Sequence, residues 1–211
     1  MRNAKVLLAV GIALGLTMAV AGTLLFVQPY AFRGSLIDPA VPASDFALTD
    51  QNGQPFRLSE QTGKVVLLFF GYTHCPDACP TTLTQFKQIR AQLGGDADRV
   101  QFILVTVDPE RDTPERLRDY VSAFDPAFIG LTSSVSEMET VWKNYGVYRE
   151  KRAAGDASAG STGHTHADDE YAVDHTTRIY AIDRQGNLRL TYTIDTAAED
   201  VAQDVQHLLT R

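Results

Sequence analysis

Val65-Val66-Leu67-Leu68-Phe69-Phe70 leaves this chain few ways to fold. Six apolar residues in a row have no face to offer water. A strand made of them has to be covered on both sides, as at the centre of a parallel or mixed sheet. A buried helix can share the composition, but the run is short and rich in β-branched and aromatic residues, which favours the strand. A turn follows, Gly71 to Thr82, reading GYTHCPDACPTT and holding the only two cysteines, Cys75 and Cys79. Thr81 to Leu93 then sets Leu83, Phe86, Ile89 and Leu93 at helical spacing, and Gly94-Gly95 stops it. Val100 to Val107 is a second buried strand. The three segments predict a strand-helix-strand unit with a right-handed parallel crossover.

The remaining segments extend that unit. Phe46 to Thr49 and Pro55 to Leu58 flank Asn52-Gly53, a hairpin signal. Thr113 is placed to cap a helix opening at Pro114, with Leu117, Tyr120, Val121 and Phe124 inward. Ala127 to Leu131 reads as a short strand, and Ser134 to Tyr145 as a helix. From Arg149 to Glu170 the composition changes; Ala153 to Gly163 is small and polar, which predicts a mobile stretch, and order returns at Tyr171. Arg178 to Ile182 and Leu188 to Tyr192 form a second hairpin, and Thr196 is expected to cap a last helix, Ala197 to Leu209. This order resembles the thioredoxin superfamily. It implies an α/β three-layer sandwich with an added N-terminal hairpin, in which the cysteines follow the first central strand.

The N-terminus is of another kind. Val6 to Val27 is an uncharged run about as long as a membrane-spanning helix, preceded by Arg2 and Lys5. Basic residues stay cytoplasmic, so the remainder is expected outside. A cleaved signal peptide ending near Ala19-Val20-Ala21 is the alternative, but the apolar run continues past it through Val27. The expected organisation is a tail at residues 1–5, one transmembrane helix at 6–27, a proline-containing linker at 28–43 and one domain at 44–211. Either way the body is exported, here to a periplasm, and its cysteines meet an oxidising compartment. The formal net charge is −7. A body of that sign does not bind nucleic acid by bulk electrostatics. A glycine-rich phosphate loop and a Gly-x-Ser-x-Gly elbow are both missing, so neither nucleotide-dependent nor hydrolase chemistry is supported.

Chemistry is concentrated at Cys75 and Cys79. Pro80 suits a first helical position, which would set Cys79 at a helix N-terminus with Cys75 one turn earlier. Unpaired N–H groups and the helix dipole favour thiolate there. A stapling disulfide across so short a loop would yield only about 2 kcal/mol. The choice is therefore between thiol redox and metal. Ordinary thioredoxins space their cysteines by two residues and set a cis-proline against them. This chain spaces them by three and has no proline after Pro126. His175 precedes the strand Arg178 to Ile182, where that proline would lie. Two thiolates and an imidazole suit Cu(I), and can hold Cu(II) or zinc. His164, His166, Asp168, Asp169 and Glu170 could form a loose metal site, but a solvated loop accounts for them better. His74 is expected to support the loop, and His207 has no role. Asp108, Arg111 and Asp112 are expected to brace the loop beside the site. Asp77 adds negative charge between the cysteines.

The stretches GYTHCPDACPTTL, VDPERDTP and YAVDHTTRIYAID together resemble the Sco/SenC family. The likeness runs from about Ser44 to Leu209, and the anchor fits it. The resemblance implies a membrane-anchored, thioredoxin-fold protein that binds one copper ion, Cu(I) or Cu(II), through Cys75, Cys79 and His175. It implies a metallochaperone for the binuclear copper centre of cytochrome c oxidase subunit II, with a redox-sensitive cysteine pair. The alternative is a thiol-disulfide reductase that keeps that subunit's cysteines reduced. Other expected partners are a copper chaperone or thiol reductase and, through the helix, a bacterial inner membrane.

Overall fold

The strand-helix-strand unit predicted around the cysteines lies at the centre of the fold. The structure is a computed structural model and describes residues 11–12, 14–18, 30–153 and 171–210. The chain divides into two units, Met1–Phe32 and Arg33–Arg211. In the first, residues 11–12 and 14–18 are helical. Most of the anchor expected at 6–27 lies outside the described residues. Among the described residues, no helix is long and apolar enough to cross a membrane.

The second unit begins with β1 (Ser35–Pro42), the hairpin β2 (Ala47–Asp50) and β3 (Pro55–Arg57), and the central β4 (Val65–Gly71). Helix α1 (Ala78–Leu93), β5 (Val100–Thr106), α2 (Pro114–Ser122), β6 (Ile129–Thr132) and α3 (Val135–Asn144) follow. The chain ends in β7 (Arg149–Ala153), β8 (Tyr171–His175), β9 (Arg178–Ile182), β10 (Asn187–Thr193) and α4 (Ala198–Leu209). Eight strands form one sheet in the order β1-β10-β9-β4-β5-β6-β2-β3, and β7 with β8 makes a separate ribbon. β4, β5 and β6 run parallel, and β9 lies antiparallel against β4.

Register shows why Val65 to Phe70 has no polar face. Leu67 pairs with Phe102 and Phe69 with Leu104, so these side chains share one side of the sheet. Phe86 of α1 meets Phe102 edge-on there. Leu117 of α2 crowds Gly130, the register partner of Leu104, on the same side. Phe70 points the other way, against Tyr145 at the end of α3 and Tyr180 of β9. Helices thus cover both sides, giving the expected three layers. Every residue of β4 is buried, and each large side chain so removed from water contributes about 1.5–3 kcal/mol. The caps of α2 and α3 also follow the sequence: Thr113 accepts from the Arg116 amide, and Ser134 with Glu137 forms a capping box.

Four local expectations are corrected. Ser35–Pro42, assigned to the linker, is strand β1, paired with β10. It is largely exposed and held by its backbone ladder, so it carries no hydrophobic period. Arg149–Ala153, expected to lie ahead of the return of order at Tyr171, is strand β7, charged at all but its last residue and paired with β8. Helix α1 starts at Ala78, before Pro80. Pro80 loses nothing there, because N–H groups of the first turn have no partner within the helix. Thr196 does not cap α4; Ala197 holds that position, and the Thr196 hydroxyl meets that of Thr193.

Candidate metal centre

The end of β4, the start of α1 and the end of β8 meet at one place. At Gly71, the last residue of β4, nothing larger fits. A Cβ there would lie 2.8 Å from Cys79 Sγ and 2.7 Å from Phe69 Cε1. The glycine lets the buried Cys79, in the first turn of α1, settle against the strand. Cys75 sits half-buried on the preceding loop, and both cysteines are free thiols. His175, the last residue of β8, points Nε2 at Cys79 Sγ from 4.0 Å. Its Nδ1 lies 3.3 Å from the Val173 carbonyl. A proton on Nδ1 donated to that oxygen leaves the Nε2 lone pair facing the sulfur. Tyr72 and Phe69 meet the imidazole edge-on, and burial pushes its pKa down, so the ring stays neutral and able to ligate.

The two sulfurs are in different electrostatic states. Cys75 is pulled down from 9.0 to about 6, first by the Cys79 thiol hydrogen-bonding to it. Backbone N–H groups of Asp77, Cys79 and Ala78 help, against the opposing effect of burial. The Cys79 amide donates to Cys75 Sγ at 3.4 Å. Asp77 makes no side-chain cap, so the Cys75 sulfur takes the place of a capping oxygen at the start of α1. Burial pushes the Cys79 thiol well up, and the Cys75 sulfur beside it pushes the same way. At neutral pH the pair is one thiolate and one thiol.

The surrounding polar residues hold these loops in place. Asp112, fully buried, accepts from the Thr73 amide at 3.1 Å, the Thr73 hydroxyl at 2.6 Å and the Thr106 hydroxyl at 2.6 Å. It thereby fastens the cysteine loop to the end of β5. Asp108 accepts from the Tyr171 hydroxyl and pairs with Arg111. The bracing role expected of Asp108, Arg111 and Asp112 is what the contacts show. His74 turns away from Cys75 to Arg116, whose Nη2 is 2.8 Å from its Nε2. His207 lies in α4, and His164 and His166 fall outside the described residues. Sequence reading missed Thr73, Tyr72 and Tyr171, whose partners are distant in the chain.

The donor set fits a soft metal ion. Two sulfurs and a neutral imidazole nitrogen, with oxygen ligands kept one shell out, select Cu(I), Cu(II) or zinc over harder cations. Among the described residues no three ligand-type groups enclose a metal position as they stand. Cys79 and His175 sit on helix and strand, whereas Cys75 is on the loop between β4 and α1.

Residues 36–210 match the model of the SCO1/SenC family. The chain is 34% identical over 174 residues to the mouse mitochondrial protein SCO2 homolog, across 82% of this chain and 64% of that one. Its alignment thus spans somewhat under two thirds of that relative. Among solved structures, Bradyrhizobium japonicum ScoI with copper bound is 38% identical, with a TM-score of 0.68 over 80% of this chain and 99% of that one. Apo Sco1 from Thermus thermophilus is 40% identical, with a TM-score of 0.71 over 85% and 98%. The expected thioredoxin-like α/β fold is the fold of these proteins.

Proposed function

The chain belongs to the SCO1/SenC family, and from that membership we propose that it binds one copper ion through Cys75, Cys79 and His175 for cytochrome c oxidase assembly. The acceptor in this reading is the binuclear copper centre of subunit II. The observation that carries it is the orientation of His175, with Nδ1 toward Val173 and Nε2 toward Cys79 Sγ. A surface or capping histidine would have no reason for that orientation. Copper is the cargo. Cys79 and His175 hold it from the buried side, and Cys75 meets an incoming ligand first because it is half-exposed. Oxidation of the two ligating thiolates to a disulfide, their two electrons passing to a partner disulfide that becomes two thiolates, removes two of the three ligands, so cargo release and thiol state are coupled. The reading includes a single-pass anchor at residues 6–27 in a bacterial inner membrane, the domain in the periplasm, and a copper chaperone or thiol reductase as supplier.

A thiol-disulfide reductase is the second reading, favoured by the split between the two sulfurs. A half-exposed thiolate, Cys75, attacks a partner disulfide, forming a mixed disulfide and freeing one partner thiolate. Cys79 passes its proton to the freed partner thiolate and then displaces the second partner sulfur. Two electrons pass to the partner, and the Cys75–Cys79 disulfide remains.

The test is the absorption spectrum of the reduced full chain with added Cu(II). A thiolate-to-copper charge-transfer band lost in Cys75→Ser and altered in His175→Ala supports the three-ligand site. A band indifferent to His175 refutes it. Equal assembly of the oxidase copper centre with wild type and His175→Ala would leave the reductase reading standing and sink the donor one.

A further inference from the structure

His175 is the proposed ligand carried by the separate β7–β8 ribbon. β8 is laddered to β7, with Arg149 opposite His175 and Ala153 opposite Tyr171, and the ribbon stands apart from the main sheet. Side chains of the loop after β5 join it to the domain. Arg111 donates from Nη1 to the Tyr171 carbonyl at 2.9 Å and sets its guanidinium 3.7 Å from the centre of the Tyr171 ring. Through Nε it pairs with Asp108, whose side chain is wholly buried and accepts from the Tyr171 hydroxyl at 2.7 Å. On the other strand, Arg149 donates to the Val107 carbonyl at 2.6 Å. The loop thus grips both strands of the ribbon. Tyr171 opens β8 and His175 closes it, a lever of about 13 Å at the rise of an extended strand.

We infer that Arg111 is a positioning residue for His175, clamping the first residue of β8 so that the imidazole at its far end stays against Cys79. This rests on the three-ligand reading of the site. Arg111 is suited to the task because one planar group makes the backbone bond, the ring stack and the ion pair together. A lysine keeps the charge for Asp108 but cannot make the other two at once.

The experiment compares the full chain with Arg111→Lys and Tyr171→Phe, each also in a His175→Ala background. In the metal-free protein, amide hydrogen exchange of Ala172 to His175 should quicken about tenfold in Arg111→Lys, the loss of one stack and one bond. Tyr171→Phe, which keeps the stack and loses the bond to Asp108, should show a smaller change and serves if the lysine variant does not fold. In Cu(II) titrations, Arg111→Lys should weaken the charge-transfer band when His175 is present and add nothing in His175→Ala. Equal weakening in both backgrounds overturns the proposal, because the effect would then not pass through His175. Unchanged exchange overturns it whatever the metal data show. A band indifferent to His175→Ala itself refutes the three-ligand reading, and the clamp then stands or falls on exchange alone.

Discussion

Replacing Cys79 with alanine should return Cys75 part of the way to an ordinary thiol. The shift from 9.0 to about 6 has the Cys79 thiol as its largest cause, ahead of the three backbone amides. Three pH units correspond to at most about 4 kcal/mol between the two protonation states. A single charge-assisted hydrogen bond supplies about 1.5–3 kcal/mol of such a difference. Its loss should therefore raise the Cys75 midpoint by about 1–2 units, leaving the amides to account for the rest. The assay is alkylation of the reduced, metal-free chain by iodoacetamide, quantified at Cys75 by mass spectrometry between pH 4 and pH 10. Wild type should reach its half-maximal rate near pH 6, and Cys79→Ala at least one unit higher, slowing the reaction at pH 6 by about fivefold or more. A midpoint unmoved in the variant would show that the amides alone hold the thiolate. A wild-type midpoint near 9 would refute the account of both sulfurs. Stability follows the same linkage. The folded pKa lies below the unfolded one, so the Cys75 contribution is complete above about pH 9 and lost as pH falls through about 6. Cys79→Ala should flatten that slope in urea titrations.

Gly71→Ala drives a methyl to 2.8 Å from Cys79 Sγ; it should cost about 1–3 kcal/mol of unfolding free energy by urea denaturation and disturb the copper band. Tyr120→Phe removes a buried hydroxyl with no hydrogen-bond partner among the described residues, so stability should hold or rise by about 1 kcal/mol; a clear loss would reveal an acceptor. Asp112→Ala strands the hydroxyls of Thr73 and Thr106 and should cost about 2–4 kcal/mol in the same measurement. Burial raises the Asp112 pKa above 3.8, so its charged form opposes folding at neutral pH. Its contribution should improve as pH falls through the raised value and level off below 3.8, which the difference between wild type and Asp112→Asn across that range would display.

What could be read from the sequence depended on how each element is held. β4 and β5 are held by burial, and their composition announces it. The starts of α2 and α3 are held by hydroxyl caps a few residues from their targets, and these too are local. β1 and β7 are held by ladders to β10 and β8, and a ladder leaves no mark on side chains that stay in water. The same division runs through the site. Cys75, Cys79 and His175 are candidates by residue type and position in the fold. The Thr73–Asp112 bond spans 39 residues and the Arg111–Tyr171 bond spans 60. Such partners become visible only when strands order the loops. The helix start was misplaced because proline is tolerated anywhere in a first turn, so Pro80 bounded the start without fixing it.

The two rims of the sheet bear on how this protein keeps company. β1 forms one rim, with Pro39 and Pro42 in it and a break in register between Leu36 and Val41. β3 forms the other, three residues long and opening on Pro55. Prolines present no N–H to an incoming strand, and bulged or very short rims give it little to lie along. Copies crowded together are thus discouraged from zipping edge to edge into polymers. A partner that reaches the cysteines is left to dock on side chains and loops, which let go more readily than a shared ladder would.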